Sequence, residues 1–119
     1  SLLWNEWRTE AEAHGHDIEP GDEACWGGIM VCAETDSKAW ALFEDMKWFW
    51  DNWATPFGQG MPELLVGSPD TLNKQIDVIN KTVPIKESFL LIPAGLHTPT
   101  QIKDSLDLFA RKVMPNFTD

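Results

Sequence analysis

Two amphipathic helices that follow each other at a fixed spacing place the strongest constraint on the fold. Each begins with a Ser-Pro or Thr-Pro pair, and the two pairs lie 30 residues apart, at 68–69 and 98–99. Each pair is followed by apolar residues spaced i, i+4, i+7 and i+11, which form one face of an α-helix. The two apolar quartets are Leu72, Ile76, Ile79 and Val83, and Ile102, Leu106, Phe109 and Val113.

The residues that begin these helices favour the same interpretation. A Ser or Thr at the N-cap accepts a hydrogen bond from a backbone N–H that has no partner inside the helix. Proline is tolerated at the next position because its missing N–H would have no partner there anyway. Gln101 lies three residues after Thr98 and completes a capping box. Two capped helices, each after a short apolar run, predict consecutive βα units of an α/β fold.

Continuous apolar runs mark the strands. The runs 29–33 and 88–92 are typical of strands covered on both faces, as in a parallel sheet. Gly27 and Gly28 precede the first run without the Lys-Ser/Thr of a phosphate loop, so we interpret them as a closely packed strand entrance. The run 64–66 is so short that we expect it to lead into its helix without joining the sheet.

The remaining segments are predicted as helices and one loop. Residues 2–14 form a helix that ends before Gly15, because glycine adopts the left-handed conformation at little cost. Thr35 or Asp36 caps the next helix, and 54–63 is a loop rich in glycine and proline. The final helix runs from 99 to about 114 and stops at Pro115. The buried face predicted for the helix after Thr35 consists of Ala39, Phe43, Met46 and Trp50.

Length and charge exclude several classes of partner. The chain has 119 residues, which suits a single domain over 1–119. Its 19 acidic and 9 basic residues give a net charge of −10, which disfavours nucleic acids and anionic membranes as partners. No apolar run approaches the roughly 20 residues of a membrane span. Cys25 and Cys32 imply no disulfide by their spacing, so we expect a reducing, cytoplasmic setting.

Seven tryptophans with no tyrosine are the unusual feature of the composition. All seven lie within the first 53 residues, and 47–53 is aromatic on several sides of its helix. They are too many for one side of a small core, so we expect a homo-oligomer through Trp-rich and apolar surface. An aromatic platform for sugars at 48–53 is the alternative function for this segment.

A possible metal site at His14, His16 and Asp17 has a simpler interpretation. Two imidazoles and a carboxylate close together could bind a metal ion, but a helix end followed by a polar loop explains the same residues. No further His or Cys cluster supports a closed site, so no metal ligands are assigned.

Three stretches, taken in order, resemble the luciferase-like monooxygenase family, the flavin-dependent group that includes bacterial luciferase and its deazaflavin-dependent relatives. Residues 31–39 resemble the family's strand ending in Val-Ala-(Glu/Asp)-Thr. Residues 66–71 resemble its Gly-(Thr/Ser)-Pro-Glu segment. Residues 105–115 resemble the closing helix that ends in Val-(Met/Leu)-Pro. The resemblance covers almost the whole chain and corresponds to the C-terminal third of the family.

This resemblance implies a partial TIM barrel. A complete barrel needs about 250 residues, so the chain can supply only the last two or so βα units, in a helix-rich α/β structure that oligomerisation completes or covers. The implied function is that of a fragment of a flavin-dependent monooxygenase that acts on a small organic substrate with O2. The implied cofactor of the complete enzyme is FMN or a deazaflavin. We expect the chain alone to be inactive and to bind no cofactor.

The resemblance also implies where site residues would lie. Glu34 and Thr35 follow one strand, and Gly95 and His97 follow another; in barrel enzymes such strand ends face the active site. Ser68, at a helix N-terminus, could bind an anion. The simpler roles are helix caps for Thr35 and Ser68 and a solvated loop for Glu34 and His97. No catalytic residue is assigned, because the family's main catalytic positions lie on earlier strands.

A second hypothesis treats the chain as a non-catalytic oligomeric binding or structural module derived from the same fold. It would use the Trp-rich half as its interface and have no affinity for flavin. The sequence does not identify a substrate, and it leaves open whether this chain is itself an enzyme.

Overall fold

The computed structural model describes residues 2–92 and 96–118 and contains a three-stranded parallel sheet with helices on both faces. This confirms the predicted α/β class. The strands are β1 Cys25–Cys32, β2 Glu63–Gly67 and β3 Glu87–Leu91, and the helices are α1 Leu2–Ala13, α2 Asp36–Phe49, α3 Pro69–Thr82 and α4 Pro99–Lys112. A π-helical turn, Trp50–Ala54, and a 3-10 turn, Thr55–Phe57, follow α2; a second 3-10 turn, Met114–Asn116, follows α4. Within these ranges, no helix is long and apolar enough to cross a membrane.

The central strand of the sheet is β1. Val31 pairs with Val66 of β2 on one edge, and Gly27 pairs with Phe89 of β3 on the other. In three consecutive barrel units, β2 would be the middle strand of the sheet. Here β1 is the middle strand, with β2 hydrogen-bonded to one of its edges and β3 to the other. Both edges of β1 are thereby hydrogen-bonded, and the outer edges of β2 and β3 pair with no other strand in the described ranges.

Alternate residues of β1 point to opposite faces of the sheet, and both faces are packed. This confirms that the first apolar run is a strand covered on both sides. One core layer joins α2 to Ile29, Val31 and Val66 through Ala39, Phe43 and Met46. The other layer joins α3 and α4 to Met30, Cys32 and Leu65 through Leu72, Phe109 and Val113.

Two expectations about the strands were wrong. Residues 64–66 belong to a true strand, because β2 pairs with β1 over five residue pairs. The strand at 88–92 is present as β3, but its burial is not as predicted: Phe89 is 56% exposed and Leu91 is 43% exposed. They lie on the sheet face that α2 covers, but α2 packs mainly over β1 and β2.

The glycines of β1 lie where the sheet is closely packed, as predicted. A Cβ atom at Gly27 would lie 2.1 Å from the ring of Phe89. A Cβ atom at Gly28 would lie 2.6 Å from the carbonyl oxygen of Glu63. A side chain at Gly28 would therefore push β2 away, whereas one at Gly27 would displace the ring of Phe89.

The helices agree with the predicted bounds to within two residues, but not all predicted faces are buried. In α4, Leu106 is 39% exposed, and Ser105 is buried in its place. The reason is that the Ser105 hydroxyl accepts a hydrogen bond from the end of β1. Both predicted bounds of the loop at 54–63 were wrong, because helical turns continue to Phe57 and β2 already begins at Glu63. No residue of α1 is buried.

Candidate functional site

The crevice at the carboxyl end of β1 is the candidate functional site. The chain leaves β1 toward α2 on one face of the sheet and leaves β3 toward α4 on the other face. Ligands of open α/β sheets bind at such a switch point, outside the carboxyl ends of the strands. The crevice has a volume of about 760 Å³ and lies between α2 and α4. Its lining includes Cys32, Ala33, Leu42, Asp45, Asp104 and Leu108.

The charged side chains around this crevice are mostly acidic. Four are acidic and two are basic, and one of the two basic groups, Lys38, is bound to the adjacent Glu34. That ion pair lowers the pKa of Glu34 below its usual value. Asp107 pairs with Lys103 on the same helix. The crevice therefore favours neutral or cationic groups. Its charged residues are Glu34, Lys38, Asp45, Asp104, Asp107 and Arg111.

Ser105 fixes the floor of the crevice. Its hydroxyl oxygen accepts a hydrogen bond of 2.8 Å from the backbone N–H of Cys32, the last residue of β1. The hydroxyl also lies 3.7 Å from the sulfur of Met30, to which it can donate. Burial raises the pKa of the Cys32 thiol to about 11, so this thiol stays protonated near neutral pH and is a poor nucleophile.

Glu34 and Thr35 are adjacent in sequence, but their side chains have different roles in the structure. Glu34 lines the crevice and is exposed. Thr35 is the N-cap of α2, and its hydroxyl accepts the backbone N–H of Lys38 at 3.3 Å. Thr35 does not line the crevice. Of these two predicted site residues, only Glu34 is placed to meet a ligand there.

Ser68 is the N-cap of α3, and the anion at this helix N-terminus belongs to the chain itself. The backbone N–H of Ser68 donates to Oδ1 of Asp36 at 2.6 Å, and the Thr71 hydroxyl donates to Oδ2 at 3.0 Å. The Ser68 N–H is the main cause that lowers the pKa of Asp36, and the Thr71 hydroxyl adds to it. Asp36 therefore occupies the position that a bound anion would take, and Ser68 has the simpler role of a helix cap.

His97 is buried rather than in a solvated loop. Its Nε2 atom lies 2.7 Å from the carbonyl oxygen of Leu42 in α2. A carbonyl oxygen only accepts, so Nε2 carries the proton in this hydrogen bond. His97 thus ties the start of α4 to α2, behind the crevice wall. Gly95, the remaining predicted site residue, lies outside the described residues.

A comparison with solved structures supports the fold that the resemblance implied. The chain is similar to a type II Baeyer-Villiger monooxygenase, the oxygenating constituent of 3,6-diketocamphane monooxygenase from Pseudomonas putida, in complex with FMN. The TM-score is 0.75 at 19% sequence identity. The match covers 97% of this chain and 39% of the monooxygenase chain. The chain has the fold of part of this monooxygenase. No family model and no curated protein matches the sequence.

The described residues of the chain do not fit the phosphate group of FMN. At α3 the position for an anion is filled by Asp36. At α4 the Thr98 hydroxyl accepts the N–H of Gln101, and the Gln101 side chain accepts the N–H of Thr98. The crevice between α2 and α4 carries more acidic than basic groups. A flavin phosphate would therefore need residues other than those described.

Three residues that the sequence interpretation missed define this region. Asp36 was treated only as an alternative helix cap, Ser105 was overlooked beside the apolar Leu106, and Asp104 was not considered. The capping pattern could have indicated Asp36, because it follows a strand directly. No local pattern indicates that Ser105 is buried.

The residues of the alternative metal site follow the end of α1. His14 Nδ1 lies 2.9 Å from the carbonyl oxygen of Glu10, in the same helix. Within 2–92 and 96–118, no group of three or more His, Cys, Asp or Glu side chains is placed to hold a metal ion.

Proposed function

We propose that the chain is the C-terminal part of a flavin-dependent monooxygenase that oxygenates a small organic substrate with O2. The observation that carries this proposal is the fold match, which spans 97% of this chain but only 39% of the monooxygenase. The three sequence stretches that resemble the luciferase-like family, in the family's order, support the same assignment.

In the complete enzyme, a bound reduced flavin would supply the electron pair with which one atom of O2 enters the substrate and the other is released as water. The present chain contributes the crevice between α2 and α4, whose walls can exclude water from a small substrate. Leu42 and Leu108 offer apolar contacts, and Asp45 and Asp104 offer hydrogen-bond acceptors. In this proposal the phosphate of FMN, or of a deazaflavin, is held by residues other than those of this chain that the structure describes. We therefore expect the chain alone to be inactive.

The test uses the complete polypeptide that contains this chain, supplied with reduced FMN or reduced deazaflavin and isotopically labelled O2. Mass spectrometry of a panel of small ketones, aldehydes and alkanes should reveal a product that carries one labelled oxygen atom. The chain of 119 residues serves as the control and should give no labelled product. A complete protein that binds neither cofactor would overturn the proposal.

A second candidate function is a non-catalytic oligomeric module, and a row of aromatic rings favours it. Phe49, the last residue of α2, is followed by Trp53 and Phe57 in the turns after it, with ring centroids 5.5 and 5.7 Å apart. Trp53 is 60% exposed, and the neighbouring Trp48 is 65% exposed. Trp50 is half-buried and packs against the core, so it is less suited to an interface than its neighbours.

Sedimentation at several protein concentrations tests this second function. If the aromatic row is an interface, Trp53→Ala should shift the chain toward smaller species, and the assembly should form without flavin. Phe117→Ala, at an exposed ring away from the row, is the control. An unchanged assembly in the Trp53 variant would exclude the row as the interface.

A further inference from the structure

A second cavity lies at the opposite end of the sheet from the crevice. It is a groove of about 570 Å³ between α1, the amino end of β1 and the last turn of α3. Its walls are mostly apolar and include three indole rings, those of Trp4, Trp7 and Trp26. This volume, with apolar walls and few polar groups, is typical of a small-molecule site. We call it the amino-end groove.

The charges of the amino-end groove are all of one sign. Glu23 and Glu63 line it, and no Lys, Arg or His among the described residues does. Neither carboxylate forms an ion pair within the described part of the chain. The net charge of −10 adds to the attraction for a cation. Charge complementarity therefore selects a positively charged ligand.

The indole rings add a second reason for a cation. Tryptophan is the side chain whose ring face attracts organic cations most strongly. The guanidinium of Arg8 lies 5.8 Å from the centroid of the Trp4 ring and occupies that ring's cation position, so the rings offered to a ligand are those of Trp7 and Trp26. The rings of Trp4 and Trp7 are 6.5 Å apart and tilted by 41°, so they do not stack on each other.

We propose that the amino-end groove binds a small organic cation with an alkylated ammonium head and an apolar body. The ammonium head lies between the carboxylates and the indole rings, and the body fills the apolar part beside Ile79 and Val83. The site is at the end of the sheet away from the crevice, so it is separate from any oxygenation chemistry.

The probe is benzyltrimethylammonium, compared with neopentylbenzene, its neutral carbon isostere, and phenylmethanesulfonate, an anion. Binding to the chain is followed by tryptophan fluorescence and by protection of Cys25, an exposed thiol in the groove wall, from a thiol reagent. We expect saturable binding of the cation, at least about fivefold weaker binding of the neutral isostere, and no binding of the anion. High salt should weaken binding of the cation.

Substitutions separate charge recognition from general apolar binding. Glu23→Gln and Glu63→Gln should each weaken binding of the cation about two- to fivefold without changing the far-ultraviolet circular dichroism spectrum. Glu44→Gln, on α2 away from the groove, is the matched control and should have no effect. Trp7→Leu keeps an apolar side chain on exposed α1 and should also weaken binding.

Three outcomes would overturn the proposal. Equal affinity for the cation and its neutral isostere would show a groove without charge recognition. Absence of saturable binding would show no small-molecule site. Protection of Cys25 that rises with protein concentration in the absence of probe would show that a second copy of the chain covers the groove. None of these outcomes depends on flavin, so they leave the proposed oxygenase function untouched.

Discussion

The backbone N–H of Ser68 donates a 2.6 Å hydrogen bond to the carboxylate of Asp36, 32 residues earlier in the chain. This contact joins the start of α2 to the start of α3 and so holds the carboxyl ends of β1 and β2 together. Gly67 leaves room for it, since a Cβ atom there would lie 3.0 Å from Oδ1 of Asp36 and 2.8 Å from the Thr71 methyl group. The carboxylate thus complements the positive end of the α3 dipole.

Replacing Asp36 by Asn should destabilise the fold near neutral pH, because the charge that faces the N-terminus of α3 is lost. The donors from Ser68 and Thr71 lower the pKa of Asp36 below its usual 3.8, so the folded chain binds this proton less tightly than the unfolded chain. The stabilisation is therefore present above pH 3.8 and lost as the pH falls through the lower folded value. Urea denaturation at several pH values measures it.

The matched control is Asp45→Asn, on the same helix, with no ion pair to any described residue. The difference in unfolding free energy between the wild type and the Asp36 variant should shrink in acid, while the control shows little change at any pH. A difference that persists unchanged below the folded pKa would show that the carboxylate charge does not stabilise α3.

Replacing Ser105 by Ala should cost about 1–3 kcal/mol of unfolding free energy, since the buried N–H of Cys32 loses its acceptor. Ser37→Ala, at an exposed position of α2, should change stability by less than about 0.5 kcal/mol. Chemical denaturation of both variants compares them directly. Equal effects would mean that the hydroxyl of Ser105 contributes no more than a surface serine.

The helix starts could be predicted from sequence because their determinants are local. Thr35, Ser68 and Thr98 each accept a backbone N–H three residues ahead, and the capping box of Thr98 with Gln101 is present. The caps need only a short stretch of chain, so composition and spacing are sufficient to identify them.

The sheet and the candidate site depend on contacts between residues that are far apart in the chain. No regular spacing in the sequence indicates which of these residues meet. Nothing local in the five residues of β2 shows that they pair with β1, and nothing in β3 shows that it takes the other edge of β1. Leu106 is 39% exposed because its neighbour Ser105 is the residue that faces the core. Ser105 hydrogen-bonds to Cys32, which lies 73 residues earlier in the chain. Helical spacing alone could not choose between these adjacent positions.

Replacing His97 by Ala should destabilise the fold by about 1–3 kcal/mol, because the buried ring and its bond to the Leu42 carbonyl are removed. His14→Ala, at an exposed residue after α1, is the control. Thermal and urea unfolding of the two variants test the difference. If His97→Ala unfolds like the wild type, the residue is not the structural tie described above, and a role toward a ligand would need to be reconsidered.

The two cysteines should differ in reactivity. Cys25 is exposed, whereas Cys32 is buried and its pKa is raised from 9.0 to about 11 by burial. In the native chain we expect one fast and one slow thiol toward a disulfide reagent near neutral pH. In urea both should react at similar rates. The fast phase should disappear in Cys25→Ser, and two fast thiols in the native wild type would contradict the burial of Cys32.

The raised pKa of Cys32 also makes the free energy of unfolding depend on pH in the alkaline range. The folded state keeps the Cys32 proton that the unfolded chain loses above pH 9.0, so the contribution of this thiol to stability is present below pH 9.0 and falls as the pH rises toward about 11. Cys32→Ala should flatten the stability profile in that range. A wild-type profile with no greater slope than that of the variant would contradict this assignment.

The most direct test of the central claim is to determine the coding sequence that surrounds this chain. The account predicts an in-frame stretch of roughly 200 residues upstream of residue 1, enough to build the rest of a TIM barrel. When that polypeptide is expressed whole, it should bind a flavin, and the isolated chain should not. A start codon directly before residue 1 would contradict the assignment to a monooxygenase and favour the non-catalytic oligomeric module.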